Sequence, residues 1–299
     1  MTAARALPII DAHIHLFDPR RPQGVPWPPK SDSALYKAAL PARYRRITNG
    51  LGVAGAIAVE CSPWLADNDW VLEIAAKSPI IVGMVGDLDP GEPQFGKRLE
   101  RLSRNPLFRG IRYGNLWGRS LARELSKPKF ISGLKALADA GLELDTANPD
   151  ATLVAAVVRL TDRVPELRVV VDHLPQFEPE PRARKAVHAN LRELGKRPKV
   201  FVKISEVLRR VDSRTPYDLD FYRPILDELY GIFGEDHVIY GSDWPNSDHW
   251  GTYSQALSVV REYFAGKGSG AAEKFFWTNS AVAYRWRRRD NAQPDPHAG

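Results

Sequence analysis

Cysteine is almost missing from this chain. Cys61 stands alone among 299 residues, so no internal disulfide can form, and such usage fits a reducing compartment, the cytoplasm. No apolar run reaches the roughly 18 residues that a bilayer-spanning helix needs. The opening Met-Thr-Ala-Ala-Arg-Ala-Leu-Pro has no hydrophobic leader region, so a membrane partner is not expected. A glycine-rich turn after the first strand signal is also lacking, which argues against a dinucleotide-binding open sheet; Gly266-Lys267-Gly268-Ser269-Gly270 follows a helical stretch and reads as a loop. Neither a Walker motif nor a Gly-x-Ser-x-Gly nucleophile elbow occurs. The net charge of +6 is modest. Arg285, Arg287, Arg288 and Arg289 cluster late in the chain, but with no basic groove or stacking platform they read as a solvated helix end, not a nucleic-acid contact.

What is present is a regular alternation of short apolar strands and amphipathic helices. Strands are expected at 9–15, 54–61, 80–85, 108–113, 142–145, 168–173, 200–204 and 238–240. Helical patterns lie at 69–77, 130–140, 151–164, 218–233 and 254–264. In the third, Leu153, Val154, Val157, Val158 and Leu160 form the apolar stripe, with Asn148 as expected cap and Pro149 in the first turn. Eight β-then-α units with near-continuous apolar strands predict a parallel sheet covered by helices and closed into a single-domain (β/α)₈ TIM barrel. Residues 1–7 read as a lead-in, 8–286 as the barrel and 287–299 as a disordered tail. The long proline-rich connection at 19–40 leaves the rim where catalytic loops gather; it is either a lid or a stiff surface excursion.

The chemistry concentrates at strand ends. Side chains two apart on a strand point the same way, so His13 and His15 can present two imidazoles to one spot. His173 closes the apolar run from Arg168, and Asp243 closes the run from Val238. A barrel brings all four to one mouth, where they can hold a divalent ion with a coordination position left open. Alternatively Asp243 takes a proton from water while the histidines hold metal or substrate. Taken singly, each histidine also reads as a hydrogen-bonded barrel residue, and Asp243 as a turn cap. Near the same rim, Arg112 is a candidate partner for a substrate carboxylate, Lys203 a second positive charge or an anchor for a barrel carboxylate, and Tyr113, Trp117 and Trp244 candidate stacking surfaces.

The segments Asp11-Ala12-His13-Ile14-His15, Val171-Asp172-His173-Leu174 and Tyr240-Gly241-Ser242-Asp243-Trp244-Pro245 resemble the amidohydrolase-related (amidohydrolase 2) family of TIM-barrel hydrolases. Within it they are most similar to fuconolactonase-like, rhamnonolactonase-like and pyrone-dicarboxylate lactonases. The resemblance covers about residues 8 to 286. It implies Asp243 as general base, with His13, His15 and His173 around the scissile carbonyl and His173 sharing the catalytic work. It spans metal-dependent and metal-free lactonases. Strand 4 reads Gly110-Ile111-Arg112-Tyr113, without the lysine of two-metal relatives, and strand 5 ends Glu143-Leu144-Asp145-Thr146, without their histidine, so at most one ion, zinc by preference, is expected.

Glu60 and Glu206 depart from the lactonase pattern. Each can add a ligand, repel an acidic substrate, or form an ordinary salt bridge. The expected activity is hydrolysis of a lactone of a sugar acid or aromatic-catabolism acid. The partner is then a small anionic or sugar-like molecule, and homo-oligomerisation stays open. The rival chemistry is metal-dependent nonoxidative decarboxylation.

Overall fold

The computed structural model describes residues 7–296 and places eight strands in one parallel sheet in chain order. They are β1 (Ile9–Ile14), β2 (Val53–Val59), β3 (Ile81–Gly86), β4 (Phe108–Arg112), β5 (Glu143–Asp145), β6 (Arg168–Val171), β7 (Val200–Ile204) and β8 (Val238–Tyr240). The remaining seam, β8 to β1, closes just beyond the strands. There Asp243 N donates to His13 O at 2.9 Å and His15 N donates to Trp244 O at 2.7 Å. The result is a single (β/α)₈ barrel, as the alternation predicts.

Alternation of side chains on each strand separates two apolar layers. Ile10, Ala12, Ile57, Val59, Val170 and Ile239 fill the barrel interior, where Tyr284 and Trp286 from the end of the chain pack against them. Opposite faces of the strands meet the surrounding helices in the larger core. Those helices are α1 (Pro41–Thr48), α2 (Ala66–Ala76), α3 (Phe95–Ser103), α4 (Leu121–Glu124), α5 (Pro128–Asp139), α6 (Ala151–Arg163), α7 (Arg184–Leu194), α8 (Leu219–Phe233), α9 (Tyr253–Ala265), α10 (Ser269–Glu273) and α11 (Asn279–Tyr284). None of the described helices is long and apolar enough to cross a membrane.

Two local expectations are corrected. The cap of α6 is Asp150, whose side chain accepts from Leu153 N at 2.7 Å; Pro149 therefore precedes the cap and Asn148 takes a left-handed turn conformation at φ 53°. The tail is also not loose as far as residue 296. Arg289 donates to the carbonyls of Ala75 (2.7 Å), Ala76 (3.0 Å), Ser78 (3.2 Å) and Ile81 (2.5 Å), while the Gln293 amide reaches Ala54 O and Pro79 O. These carbonyls lie where α2 ends and β2 and β3 begin, and a guanidinium can satisfy several at once. Residues 297–299 of the expected tail, and 1–6 of the lead-in, lie outside the described residues.

Arg289→Ala should therefore lower stability by about 1–2 kcal/mol, the scale of a few lost charge-assisted hydrogen bonds. Urea unfolding of the variant checks this; an unchanged midpoint would mean that the tail does not hold the end of the barrel.

Candidate active site

The first strand changes phase where the site begins. A regular pleat would put Asp11, His13 and His15 on one face. The pairing of β1 with β2 slips between Asp11 and Ile14, however, and the facing reverses there. Upstream, Ile10 and Ala12 face the interior, while Asp11 points to the helices and accepts from Tyr44 Oη (2.8 Å) and Tyr253 Oη (3.0 Å). Downstream, His13 and His15 turn inward, their rings 4.9 Å apart, with the His173 ring 4.4 Å from His13.

The imidazoles converge on one oxygen. Asp243 Oδ1 lies 3.1 Å from His15 Nε2, 3.4 Å from His13 Nε2 and 3.8 Å from His173 Nε2. Asp243 Oδ2 accepts from Asn246 Nδ2 at 2.7 Å. The far nitrogens fix the tautomers. His15 Nδ1 donates to Val59 O at 2.9 Å, which leaves the Nε2 lone pair facing Asp243. His173 Nε2 faces the Arg112 guanidinium at 3.3 Å, so its Nδ1 donates to Ser205 Oγ at 2.9 Å.

Burial sets the protonation states. It drives His13 well below its ordinary value, with Lys203 adding to the effect, and brings His173 down to about 4. Both rings are neutral near pH 7. Burial opposes the charge on Asp243, yet the surrounding His173, His15 and His13 hold it below the usual carboxylate range. Glu206 is pushed up to about 8 by burial and by the facing Asp243, and Glu60 up to about 7, mainly by burial.

The group fits a divalent ion. His13 Nε2 and Asp243 Oδ1 are buried with no hydrogen-bond partner among the described residues. Ligand atoms of His13, His15 and Asp243 lie within 4.8 Å of one another, as do those of His173, Glu206 and Asp243. A lone pair aimed at a carboxylate oxygen 3.1 Å away is favourable only with a proton or cation between them.

Around this centre is a cavity of ≈240 Å³. Its walls come from strand ends in an unusual conformation. Trp117, Asn148, His173, Glu206 and Asp243 all have left-handed φ of 50–61°, and all five line the cavity. Such backbone costs a non-glycine residue roughly 1–2 kcal/mol and marks places where side-chain position outweighs local comfort. Trp27, from the 19–40 connection, forms another wall, with its ring 5.6 Å from that of His15.

His13, His15, His173 and Asp243 are thus brought together, and Arg112 and Trp117 line or border the same space. Three expected substrate contacts are elsewhere. Lys203 is fully buried between Asp145 and Asp172 (3.0 Å), beside His13 Nδ1 at 3.3 Å. Tyr113 packs on Phe130, and Trp244 packs on Tyr44 under the Arg43 guanidinium. Each aromatic directly follows a cavity residue, so the alternation of the chain turns it the other way. Arg112 is in place but already pairs with Asp172 Oδ2 at 3.1 Å. Cys61 borders the cavity with its thiol pushed far up by burial, which leaves it unreactive. Sequence reading missed Asn246 and Trp27; only the length of the proline-rich connection hinted at the latter.

The profile of the amidohydrolase family matches residues 10–286. The chain is 27% identical over 299 residues to an L-fucono-1,5-lactonase from Burkholderia ambifaria, covering 97% of this chain and 98% of that one. Its structure is similar to that of an amidohydrolase from Burkholderia multivorans with bound zinc (TM-score 0.80, 23% identity, 93% and 99% covered). It is also similar to a 5-carboxyvanillate decarboxylase from Novosphingobium aromaticivorans complexed with manganese (TM-score 0.66, 17% identity, 94% and 97% covered). Those two likenesses speak to the barrel. With a family match that runs through almost all of the described barrel, the chain belongs to the amidohydrolase family.

Proposed function

We propose that this enzyme opens a lactone, the cyclic ester of a sugar acid or aromatic-catabolism acid, by attack of water activated at Asp243. The observation that carries the reading is a buried carboxylate, with one oxygen 3.1–3.8 Å from three imidazoles, at the mouth of a small-molecule cavity. Similarity over nearly the whole length to an L-fucono-1,5-lactonase supports it.

In this reading Asp243 Oδ1 takes a proton from water as the oxygen attacks the ring carbonyl. Charge gathers on the carbonyl oxygen. Arg112 has spent one N–H on each of Asp172, Glu60 O and His173, and keeps others for that oxyanion. His173 orients this guanidinium and shares in the catalysis. When the tetrahedral centre collapses, the protonated Asp243 returns its proton to the departing ring alkoxide. A divalent ion held by His13, His15 and Asp243, and by His173 once its Nε2 lone pair is released from Arg112, would supply Lewis-acid polarisation of the carbonyl, zinc by the character of these ligands. A second ion has no ligands to spare on β5, because Asp145 is committed to Lys203 and Tyr284. Elemental analysis should find no more than one equivalent per chain. Lactone opening that persists after metal removal would also separate this reading from decarboxylation, which needs the ion.

Asp243→Asn should reduce turnover by about 10²- to 10⁴-fold, the usual worth of general-base assistance. Its melting temperature should stay near wild type, because asparagine tolerates the left-handed backbone and keeps much of the polar contact. Turnover and melting are measured on one preparation against a lactone panel with acid release as readout. Wild-type turnover in this variant would falsify the mechanism.

Glu206 predicts a pH effect on stability. Its carboxyl binds a proton more tightly in the folded protein, at about 8, than at the ordinary value of 4.5. Its stabilising contribution is full below 4.5 and is lost as pH rises through 8. Glu206→Gln should flatten that part of the decline in melting temperature between roughly pH 5 and 8. Parallel curves for the two proteins would mean that Glu206 is ionised throughout.

A further inference from the structure

Two glutamates, Glu206 on the cavity wall and Glu60 in an adjoining side pocket, have no part in the mechanism above. Glu206 Oε1 accepts from Trp250 Nε1 at 3.1 Å and Asn246 Nδ2 at 3.3 Å, and its other oxygen takes no hydrogen bond from any described residue. Glu60 repeats the arrangement: Oε1 accepts from Trp117 Nε1, while Oε2 takes no hydrogen bond from any described residue. Glu60 borders a side pocket that shares Trp27 and Cys61 with the central cavity. In each pair an indole N–H fixes one carboxyl oxygen and leaves the other open.

Backbone strain marks the same pairs. Of the five left-handed residues lining the cavity, Asn148, His173 and Asp243 are types that tolerate this conformation. Trp117 and Glu206 are not, and one belongs to each pair. Glycine would relieve both positions, so their side chains carry the reason for the strain.

The cavity has little to attract an anion. Arg112 is the one cation among its described lining residues, and Asp172 compensates its charge. Lys203 is sealed between Asp145 and Asp172. A carboxylated substrate in this cavity would face the ionised Asp243 with no unpaired cation among the described lining residues to offset it. Ring hydroxyls, in contrast, are donors for open carboxyl oxygens, and indole faces suit the C–H faces of a saturated ring.

We propose that Glu206 and Glu60, each fixed by a tryptophan indole, bind ring hydroxyls and so select a neutral polyhydroxylated lactone against a carboxylated one. This deepens the lactonase reading and rests on it. The test is calorimetric binding of three six-membered lactams, whose ring nitrogen resists opening: a trihydroxylated lactam, the bare ring and a ring bearing a carboxylate. The wild type should bind the hydroxylated lactam at least about tenfold more tightly than the bare ring. Glu206→Leu and Glu60→Leu should each cut that ratio by about tenfold, the worth of a buried hydrogen bond. Glu206→Gln, which like the protonated carboxyl offers both an acceptor and a donor, should retain most of the ratio, and the carboxylated lactam should stay at least about tenfold weaker than the hydroxylated one. Ratios unmoved in the leucine variants, or a wild type that prefers the carboxylated ring, overturn the inference. If the leucine variants do not fold, Glu206→Met and Glu60→Met, unbranched and closer to glutamate in shape, decide in their place: ratios unmoved in both overturn it. Lactone opening is assayed separately. A wild type that shows the binding pattern but opens no lactone sinks the hydrolysis reading and leaves the hydroxyl site standing.

Discussion

The β1–β8 seam is the constraint on which the rest of this structure depends. Seven of the eight strand junctions are parallel ladders between the strands themselves, with register shifts in the first three. The eighth is made by the backbone of the site itself, through Asp243 N to His13 O and His15 N to Trp244 O. Asp11 reinforces it. One carboxylate oxygen accepts from Ser242 N (2.8 Å) and His13 N (3.2 Å), and the other takes the hydroxyls of Tyr44 and Tyr253 from α1 and α9. Closing the barrel and bringing Asp243 to the histidines are therefore the same event. A site built this way inherits the rigidity of the scaffold, as preorganised electrostatic catalysis requires.

Beneath the seam lies a layer of buried charge. Lys203 joins Asp145 to Asp172, Asp172 joins Lys203 to Arg112, and Lys203 reaches His13 Nδ1. Burial disfavours the ammonium, but Asp145 and Asp172 more than restore it. Such networks seldom add net stability, since desolvation offsets their attraction. Here the gain is orientation: one end fixes His13 beside Asp243, and the other fixes the Arg112 guanidinium in the cavity wall.

The strands were legible because they are nearly continuous in Val and Ile, and the barrel followed from their number and alternation with helices. α3 and α7 were not, since each shows only a narrow stripe, Phe95-Leu99-Leu102 and Val187-Leu191-Leu194, in an otherwise polar segment. His13, His15, His173 and Asp243 were readable because they end apolar runs. Tyr113 and Trp244 misled because proximity in sequence says nothing about facing. Lys203 lies on the interior face but two residues below Ser205, hence one layer beneath the cavity floor. The phase change in β1 left no mark in the residues, because both halves of Asp11–His15 read as regular strand. Arg289 and Gln293 were obscured by composition: a polar, proline-containing tail resembles disorder until the carbonyls it satisfies are known.

One amide explains how the site can hold so many acidic groups. The side-chain nitrogen of Asn246 donates to Asp243 Oδ2 and to Glu206 Oε1, so a single NH₂ group bridges the two carboxyls. Two carboxylates sharing a site cannot both ionise cheaply, and their environments separate them. Asp243 faces the imidazoles and keeps its charge, while Glu206, burial-penalised and opposite that charge, keeps its proton through neutral pH. The wall therefore presents one negative charge instead of two. That single charge can accept a proton from water without repulsion from its neighbour, and the neutral carboxyl beside it can hydrogen-bond as donor or acceptor. The division of labour between base and binding group thus follows from which residues face each carboxyl, since both begin as the same functional group.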